Sequence, residues 1–167
     1  AGTLAALKGA LEARTVGVLR NGFDVNNKGG VIQAQSLNIR ALAGLNNNGG
    51  RIAAQTGDGL INTAGLNNRG GGLYAQGQVS TSAADLDNGA GGQVAGQTLD
   101  FTLGGALSNV GGVLESDTRI GLSAASLNNQ GGQLRTLASG GSTRLQVTGA
   151  LDNRNGVMEV ANQDLVL

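Results

Sequence analysis

Four residue types are missing from this sequence of 167 residues: cysteine, histidine, proline and tryptophan. Without cysteine and histidine, the chain has no thiol or imidazole nucleophile, no disulfide and none of the usual nitrogen and sulfur ligands of zinc. Its aromatic residues are Phe23, Tyr74 and Phe101, so it lacks an aromatic platform for stacking nucleic-acid bases. We therefore expect no cofactor, no metal site and no Cys- or His-based catalysis.

The charges of the chain are balanced, with 11 basic and 11 acidic side chains and no basic run. This balance makes nucleic acid and anionic membrane surfaces poor candidates for partners. No stretch of about 18 apolar residues is present, so we expect no insertion of this chain into a membrane. No signal peptide opens the sequence, and we interpret residues 1–167 as a segment of a longer protein.

One motif, LNNNGG at its clearest, recurs about every twenty positions. It begins, with small variations, at these residues: Leu45, Leu66, Leu86, Leu107 and Leu127. The second glycine of the motif falls at steps of 20 or 21 residues: Gly30, Gly50, Gly71, Gly92, Gly112 and Gly132. A further unit follows at Gly156 and a degenerate one precedes at Gly9, which makes eight units. Internal repeats of this period predict a solenoid.

Apolar residues recur at every second position after the aligned glycine, which is the period of a β-strand. Two positions past the glycine the apolar residues are Leu11, Ile32, Ile52, Leu73, Val94, Leu114, Leu134 and Met158. Four positions past it, mostly small residues follow: Ala13, Ala34, Ala54, Ala75, Gly96, Ser116, Thr136 and Val160. A second alternating pair comes later in six units: Val16 and Val18, Leu37 and Ile39, Leu99 and Phe101, Ile120 and Leu122, Leu145 and Val147, Leu165 and Leu167. A third inward position opens each motif: Leu4, Val25, Leu45, Leu66, Leu86, Leu107, Leu127 and Leu151.

Each unit thus contains three short strand-like segments joined by turns rich in glycine and asparagine. Leucine-rich repeats have helix-forming connections, and ankyrin-type repeats are longer units with helical periodicity, so neither fits. The sequence predicts an all-β fold, a parallel β-helix (solenoid) with about eight coils of 20–24 residues.

The first coil is predicted less clearly than the others. We expect one domain over residues 1–167, with regular repeats over 25–167 and a degenerate first coil over 1–24. A short helical cap over residues 1–14 is the alternative, because Leu4, Leu7 and Leu11 also fit a helical stripe.

The second asparagine of the motif is expected to have a structural role. Because every coil turns the same corner above the last, the side-chain amides of successive coils can hydrogen-bond in a ladder along the axis. The expected ladder consists of Asn27, Asn47, Asn68, Asn88, Asn109, Asn129 and Asn153. Ala6 stands at this position in the first unit. A second ladder is expected from Gln35, Gln55, Gln76 and Gln97.

Four residues are candidates for surface contacts, because they stand three positions past the aligned glycine and should point outward: Tyr74, Glu115, Arg135 and Glu159. A glycosidase needs two carboxyl groups, about 5–5.5 Å apart if retaining and about 6.5–9.5 Å if inverting. At two strand spacings we expect Glu115 and Glu159 about 9.6 Å apart. With Arg135 between them, the row is more typical of an exposed charge ladder than of a catalytic pair.

Five aspartates, Asp58, Asp85, Asp100, Asp117 and Asp164, stand at different places in the repeat and do not predict a Ca²⁺ site. Two segments break the regular coil length, TGDGLINTAG in the third unit and LASGGSTR in the seventh. Extra residues of this kind are expected to form loops on the side of a solenoid, where repeat proteins often place their contacts.

The LNNxGG units, each followed by alternating strands, resemble the filamentous haemagglutinin repeats of large Gram-negative exoproteins, closely over residues 25–167 and loosely over 1–24. The resemblance implies a right-handed parallel β-helix, secreted by the two-partner route and carried at the cell surface. Members of that family are adhesins, haemagglutinins or effectors of contact-dependent growth inhibition, and they contribute to cell adhesion and virulence.

By this resemblance we expect a structural shaft and not an enzyme. Its partners would be a host-cell or neighbouring-bacterium surface and an outer-membrane secretion partner, both reached through the parent protein. Open strand edges also predict end-to-end self-association. One alternative is that the segment itself binds a cell-surface glycan or receptor. A β-helical polysaccharide-active enzyme is the remote alternative.

Overall fold

The computed structural model describes residues 4–5, 10–12, 16–21, 24–161 and 165–167, with side chains from residue 24 on. Its regular elements are all β-strands, and every strand pair is parallel. The described residues contain no helix that is long and apolar enough to cross a membrane. The predicted all-β parallel solenoid is therefore confirmed.

One sheet is built from the strands that open the motif, which we call the motif strands. It has eight strands, one from each predicted unit. They are Leu4–Ala5, Asp24–Asn26, Gly44–Asn46, Gly65–Asn67, Asp85–Asp87, Ala106–Ser108, Ser126–Asn128 and Leu151–Asp152. Eight stacked strands have seven spacings of about 4.8 Å, so this sheet is roughly 34 Å long along the axis.

The other sheet has 14 strands and contains the two remaining segments of each coil. The first strands, which follow the aligned glycine, are Ala10–Glu12, Val31–Ala34, Arg51–Ala54, Gly72–Ala75, Gln133–Thr136 and Val157–Val160. The second strands are Val16–Asn21, Ser36–Ala41, Gly59–Thr63, Gln78–Ala83, Ser142–Val147 and Leu165–Val166. In the fifth and sixth coils the two segments are continuous, as Gln93–Leu103 and Val113–Ala124.

The core forms where the three segments face inward. The predicted residues two positions past the glycine stack in register through the middle coils, and each is at most 3% exposed: Ile32, Ile52, Leu73, Val94, Leu114 and Leu134. The residues that open the motif stack in the same way, for example Leu66 between Leu45 and Leu86. Both predicted inward rows are therefore confirmed in these coils.

The second inward pair was predicted correctly in the middle of the chain and wrongly at its beginning. Leu37 and Ile39 are buried. Their neighbours in the first coil, however, are Gly17 and Leu19, and not Val16 and Val18. The paired position follows the aligned glycine by eight residues in the first coil, at Gly17, and by seven in the second, at Leu37, so the register is shifted by one residue.

The extra residues of the seventh coil also shift its register. Leu145 is buried as predicted, but it pairs with Leu122, and the neighbour of Ile120 is Thr143. In the eighth coil Leu165 pairs with Thr143 in the inward row. It is nevertheless 38% exposed, and Leu167 is 74% exposed, because no described coil packs on their far side.

The first coil forms strands where it is described. Leu4 pairs with Val25, and Leu11 pairs with Ile32, both in the predicted register. A helix is therefore wrong for residues 4–5 and 10–12, and the rest of the proposed cap lies outside the described residues.

Candidate functional site

The asparagine ladder runs through the interior of the turn that carries the two glycines, which we call the motif corner. From Asn27 to Asn153, the side-chain Nδ2 of each asparagine donates to Oδ1 of the next at 2.6 to 2.8 Å. The second N–H donates to a backbone carbonyl one coil on, as from Asn47 to Gly72 O at 3.1 Å. The structure thus brings all seven predicted asparagines together in one row.

The two glycines of the motif have different tasks. Gly49 has φ of 61°, a left-handed conformation that L-residues rarely adopt. A Cβ atom on Gly50 would collide with the backbone carbonyl of Asn27 and with Oδ1 of Asn47. The first glycine therefore makes the turn, and the second makes room for the ladder of the coil beneath it.

The first asparagine of the motif points outward and holds the turn from outside. Oδ1 of Asn46 accepts a hydrogen bond from the backbone N–H of Asn48 at 3.1 Å, an Asx turn. Equivalent bonds are accepted by Asn26, Asn67, Asp87, Asn128 and Asp152. The doubled asparagine therefore combines an outer turn lock with an inner ladder.

The ladder ends differently on its two sides. Oδ1 of Asn27 is buried and has no hydrogen-bond partner among the described residues. At the same position of the preceding unit, the sequence has Ala6 in place of asparagine. At the other end, Nδ2 of Asn153 donates to Gly156 O at 3.2 Å.

The predicted glutamine ladder is not formed. Gln35, Gln55, Gln76 and Gln97 are all exposed, and no hydrogen bond joins their side chains. Gln97 is also opposite Gly77 and not opposite Gln76, because Thr98 pairs with Gln78 in the neighbouring coil. These glutamines lie at the connection from the first to the second strand, which we call the variable corner. Their amides face water there and gain little from bonding to one another.

The variable corner changes from coil to coil. It is a bend over residues 55–58 in the third coil and a loop over 137–141 in the seventh, as the irregular segments of the sequence predicted. Asp58 of this bend stabilises the corner of the next coil, because its Oδ1 accepts from the backbone N–H of Gln78 at 2.8 Å.

The four predicted contact residues lie in one outward row of the first strands. Tyr74 pairs with Ala95, which precedes Glu115, Arg135 and Glu159 in successive coils. Glu115 forms a salt bridge with Arg135, whereas Glu159 is exposed. Of the predicted charge ladder, the structure thus shows the ion pair of Glu115 and Arg135.

Tyr74 is half-buried, because its ring lies over the glycine two positions earlier in the strand. A Cβ atom on Gly72 would collide with the ring, so glycine there leaves the space that the ring occupies. The Tyr74 hydroxyl donates to Oε1 of Gln93 at 2.8 Å, and the guanidinium of Arg51 lies 5.3 Å from the ring centroid. The ring is thus held on the sheet from both sides.

A hollow of about 250 Å³ opens beside Tyr74, over the small residues Ala95 and Gly96 of the next coil. Ala75, Gln76, Gln97, Glu115 and Asp117 complete its lining. The pairing of the fifth and sixth coils shifts here, because Gly96 pairs with Ser116 but Thr98 pairs with Arg119. This is a β-bulge, a feature that often re-aims side chains beside functional sites.

The bulge was not found from the sequence, although it had a signal there. The second inward pair follows the aligned glycine by seven residues in the fifth unit, at Leu99, and by eight in the sixth, at Ile120. One extra residue must therefore lie between these positions. The side chain of Thr118 donates to Gln97 O at 2.9 Å and fixes the bulge.

A wider groove of about 540 Å³ lies on the outer face of the motif strands. Its floor is open where Gly44 and Gly65 stand between Asp24 and Asp85 in the same outward row. Oδ1 of Asp85 accepts from the backbone N–H of Ala106 at 2.7 Å, so this carboxylate stabilises the next coil.

Within the described part of the chain, no group of three or more acidic side chains could hold a metal ion. Arg154 lowers the pKa of the Asp152 carboxyl, chiefly through the side-chain hydrogen bonds that it donates to this carboxylate.

No protein-family model, curated protein or solved structure matches this chain. We therefore base its function on its own residues and geometry.

Proposed function

We propose that this chain is a structural shaft of a large, secreted, surface-displayed bacterial protein, an adhesin or haemagglutinin or an effector of contact-dependent growth inhibition. The shaft would hold a binding or toxin region of the parent protein away from the cell. A right-handed coil and two-partner secretion are part of the same proposal, through the resemblance of the repeats.

The observation that carries the proposal is the uninterrupted axial stacking. The asparagine ladder and the two inward rows continue from the second coil to the seventh without a break. In such a stack each coil is supported mainly by its neighbours, so length can change by whole coils while the structure is kept. A rod of adjustable length suits a protein that holds a binding or toxin region at a distance from the cell.

Surface display can be tested on intact cells of the producing Gram-negative bacterium. An antibody against this chain should label intact cells and should lose its target when the outer-membrane secretion partner is deleted. Labelling that requires permeabilised cells would overturn the proposed location.

The shaft role can be tested by removing one coil from the parent protein. Deleting residues 31–50 joins Gly30 to Arg51 and preserves the repeat. We expect adherence or growth inhibition to be kept, with a rod shorter by about 4.8 Å. A folded deletion variant that loses the activity would place recognition in this coil and contradict the shaft role.

End-to-end self-association belongs to the same proposal. The eighth coil exposes Leu151, Val157 and Val166, which are 39%, 45% and 46% exposed. Exposed apolar side chains beside open strand edges favour pairing with another copy. We expect the mass from light scattering to rise with concentration, and to stay monomeric when Val157→Lys and Val166→Lys are combined. A monomer at every concentration would contradict this part.

A further inference from the structure

The hollow beside Tyr74 has a mixed lining that a bare spacer does not need. Its floor and one wall are apolar, formed by Ala95, Gly96 and part of Tyr74. Its volume, about 250 Å³, is below the range of about 300–1,000 Å³ that holds drug-sized ligands. A single six-membered ring with its substituents is therefore the size of ligand to consider.

The apolar wall is rigid before any ligand arrives. The Tyr74 ring is fixed by the space over Gly72, by Arg51 and by the hydrogen bond to Gln93. Since little rotamer freedom remains to be lost, a ligand that packs against this wall is bound at a lower entropic cost.

The polar rim has free hydrogen-bonding capacity. The side chains of Gln76, Gln97 and Asp117 are exposed and form no hydrogen bond with the described residues. Two amides and one carboxylate offer both donors and acceptors at the edge of an apolar floor. A sugar ring has the matching form, with an apolar C–H face and a rim of hydroxyl groups.

The charge of the lining discriminates among sugars. The Glu115 carboxylate is neutralised by Arg135, but Asp117 has no cationic partner among the described residues. No lysine or arginine lines the hollow. An anionic sugar would therefore be repelled, whereas the hydroxyl groups of a neutral sugar could donate to the Asp117 carboxylate.

We propose that this hollow binds one neutral pyranose ring of a glycan, with its apolar face against Ala95 and Tyr74 and its hydroxyl groups on Gln76, Gln97 and Asp117. The β-bulge between the fifth and sixth coils serves this site, because it sets Asp117 and Thr118 opposite the single residue Gln97. The site does not depend on the shaft role.

The chain carries its own probe for the test. Tyr74 is the one tyrosine and tryptophan is absent, so tyrosine fluorescence reports on this hollow alone. We would titrate the protein with the methyl glycosides of galactose, glucose, mannose and N-acetylglucosamine, and with N-acetylneuraminic acid. For so small a ligand, we expect a saturable change with a Kd on the order of 1 mM for at least one neutral glycoside. N-acetylneuraminic acid should give none.

Variants locate the binding. Ala95→Leu fills the hollow and keeps Tyr74 as reporter, and it should weaken binding at least tenfold. Ala106→Leu adds the same bulk at an exposed position of a motif strand and should leave binding unchanged. Because Ala95→Leu could also disturb folding, the exposed substitution Gln97→Ala is measured beside it and should weaken binding several-fold without lowering the Tm.

Three results would overturn the site. The first is the absence of a saturable change with every neutral glycoside, and the second is binding that survives both Ala95→Leu and Gln97→Ala. The third is equal binding of N-acetylneuraminic acid, which would refute the role of the Asp117 charge. None of these results touches the shaft proposal, whose tests use cell labelling and coil deletion.

Discussion

The motif corner and the variable corner of this β-helix solve the same problem, a turn in every coil, in different ways. At the motif corner, each inward residue from Asn47 to Asn129 is a buried asparagine bonded to the asparagines of the two neighbouring coils. At the variable corner, the inward residues are small and differ between coils: alanine at Ala34, Ala54 and Ala75, but Ser116 and Thr136 in the sixth and seventh coils. One continuous row of directional bonds fixes the length of the motif corner, whereas the variable corner has no such row and can bend, loop or bulge.

The two corners should differ most in stability when the ladder loses a hydrogen-bond donor. In Asn88→Asp, hydrogen bonds to Asn109, Gly92 and Val113 are lost and an unpaired carboxylate is buried. We expect a loss of at least about 3 kcal/mol in the free energy of unfolding, measured by urea denaturation. Gln76→Glu makes the same chemical change at the variable corner and should cost less than about 0.5 kcal/mol. Equal costs at the two corners would show that the ladder has no special weight.

Insertions should discriminate between the corners next. One glycine added between Gly111 and Gly112 displaces the ladder contact of Asn109, and we expect a loss of about 2 kcal/mol or more. The same insertion between Gly140 and Gly141 lengthens an existing loop and should cost less than about 1 kcal/mol. Thermal melts of the two variants measure these losses. A larger loss for the insertion at Gly140 than for the one at Gly111 would contradict the assignment of the motif corner as the rigid one.

Extending the ladder should stabilise the chain. The repeat puts Ala6 at the ladder position before Asn27, whose Oδ1 has no hydrogen-bond partner among the described residues, so we expect Ala6→Asn to gain about 1 kcal/mol. Ala6→Asp has a similar shape without an N–H to donate, so it should give no gain. A rise in Tm for the aspartate variant would mean that the hydrogen bond is not the cause.

The smallest effect is expected for a glycine at the variable corner. A Cβ on Gly59, which opens a second strand, would lie 3.8 Å from Cβ of Ala75 and 3.9 Å from Cβ of Ala54, ordinary contact distances. We expect Gly59→Ala to stabilise by about 0.5–1 kcal/mol, since alanine has less freedom in the unfolded chain. Gly50→Ala should instead destabilise, because its Cβ would collide with the ladder. Denaturation midpoints of both variants are the measurement.

Prediction from the sequence succeeded where the repeat is strict. The spacing of Gly50, Gly71 and Gly92 places Leu73 and Val94 correctly in the core, because a fixed step transfers the register from coil to coil. It failed at Val16 and Val18, where the paired position is one residue further from the aligned glycine in the first coil. The same kind of slip hid the bulge at Asp117.

The sequence by itself determined the solenoid, the parallel stacking and the identity of the ladder, because these follow from period, alternation and the chemistry of asparagine and glycine. It placed Glu115 beside Arg135 but could not determine the hollow. The contacts of the Tyr74 ring with Arg51 and Gln93, and the hollow over Ala95 and Gly96, depend on side chains from different coils and on the bulge that sets Asp117 and Thr118 opposite Gln97. That bulge lies at the variable corner, where the length of the coil departs from the repeat and the register depends on tertiary packing.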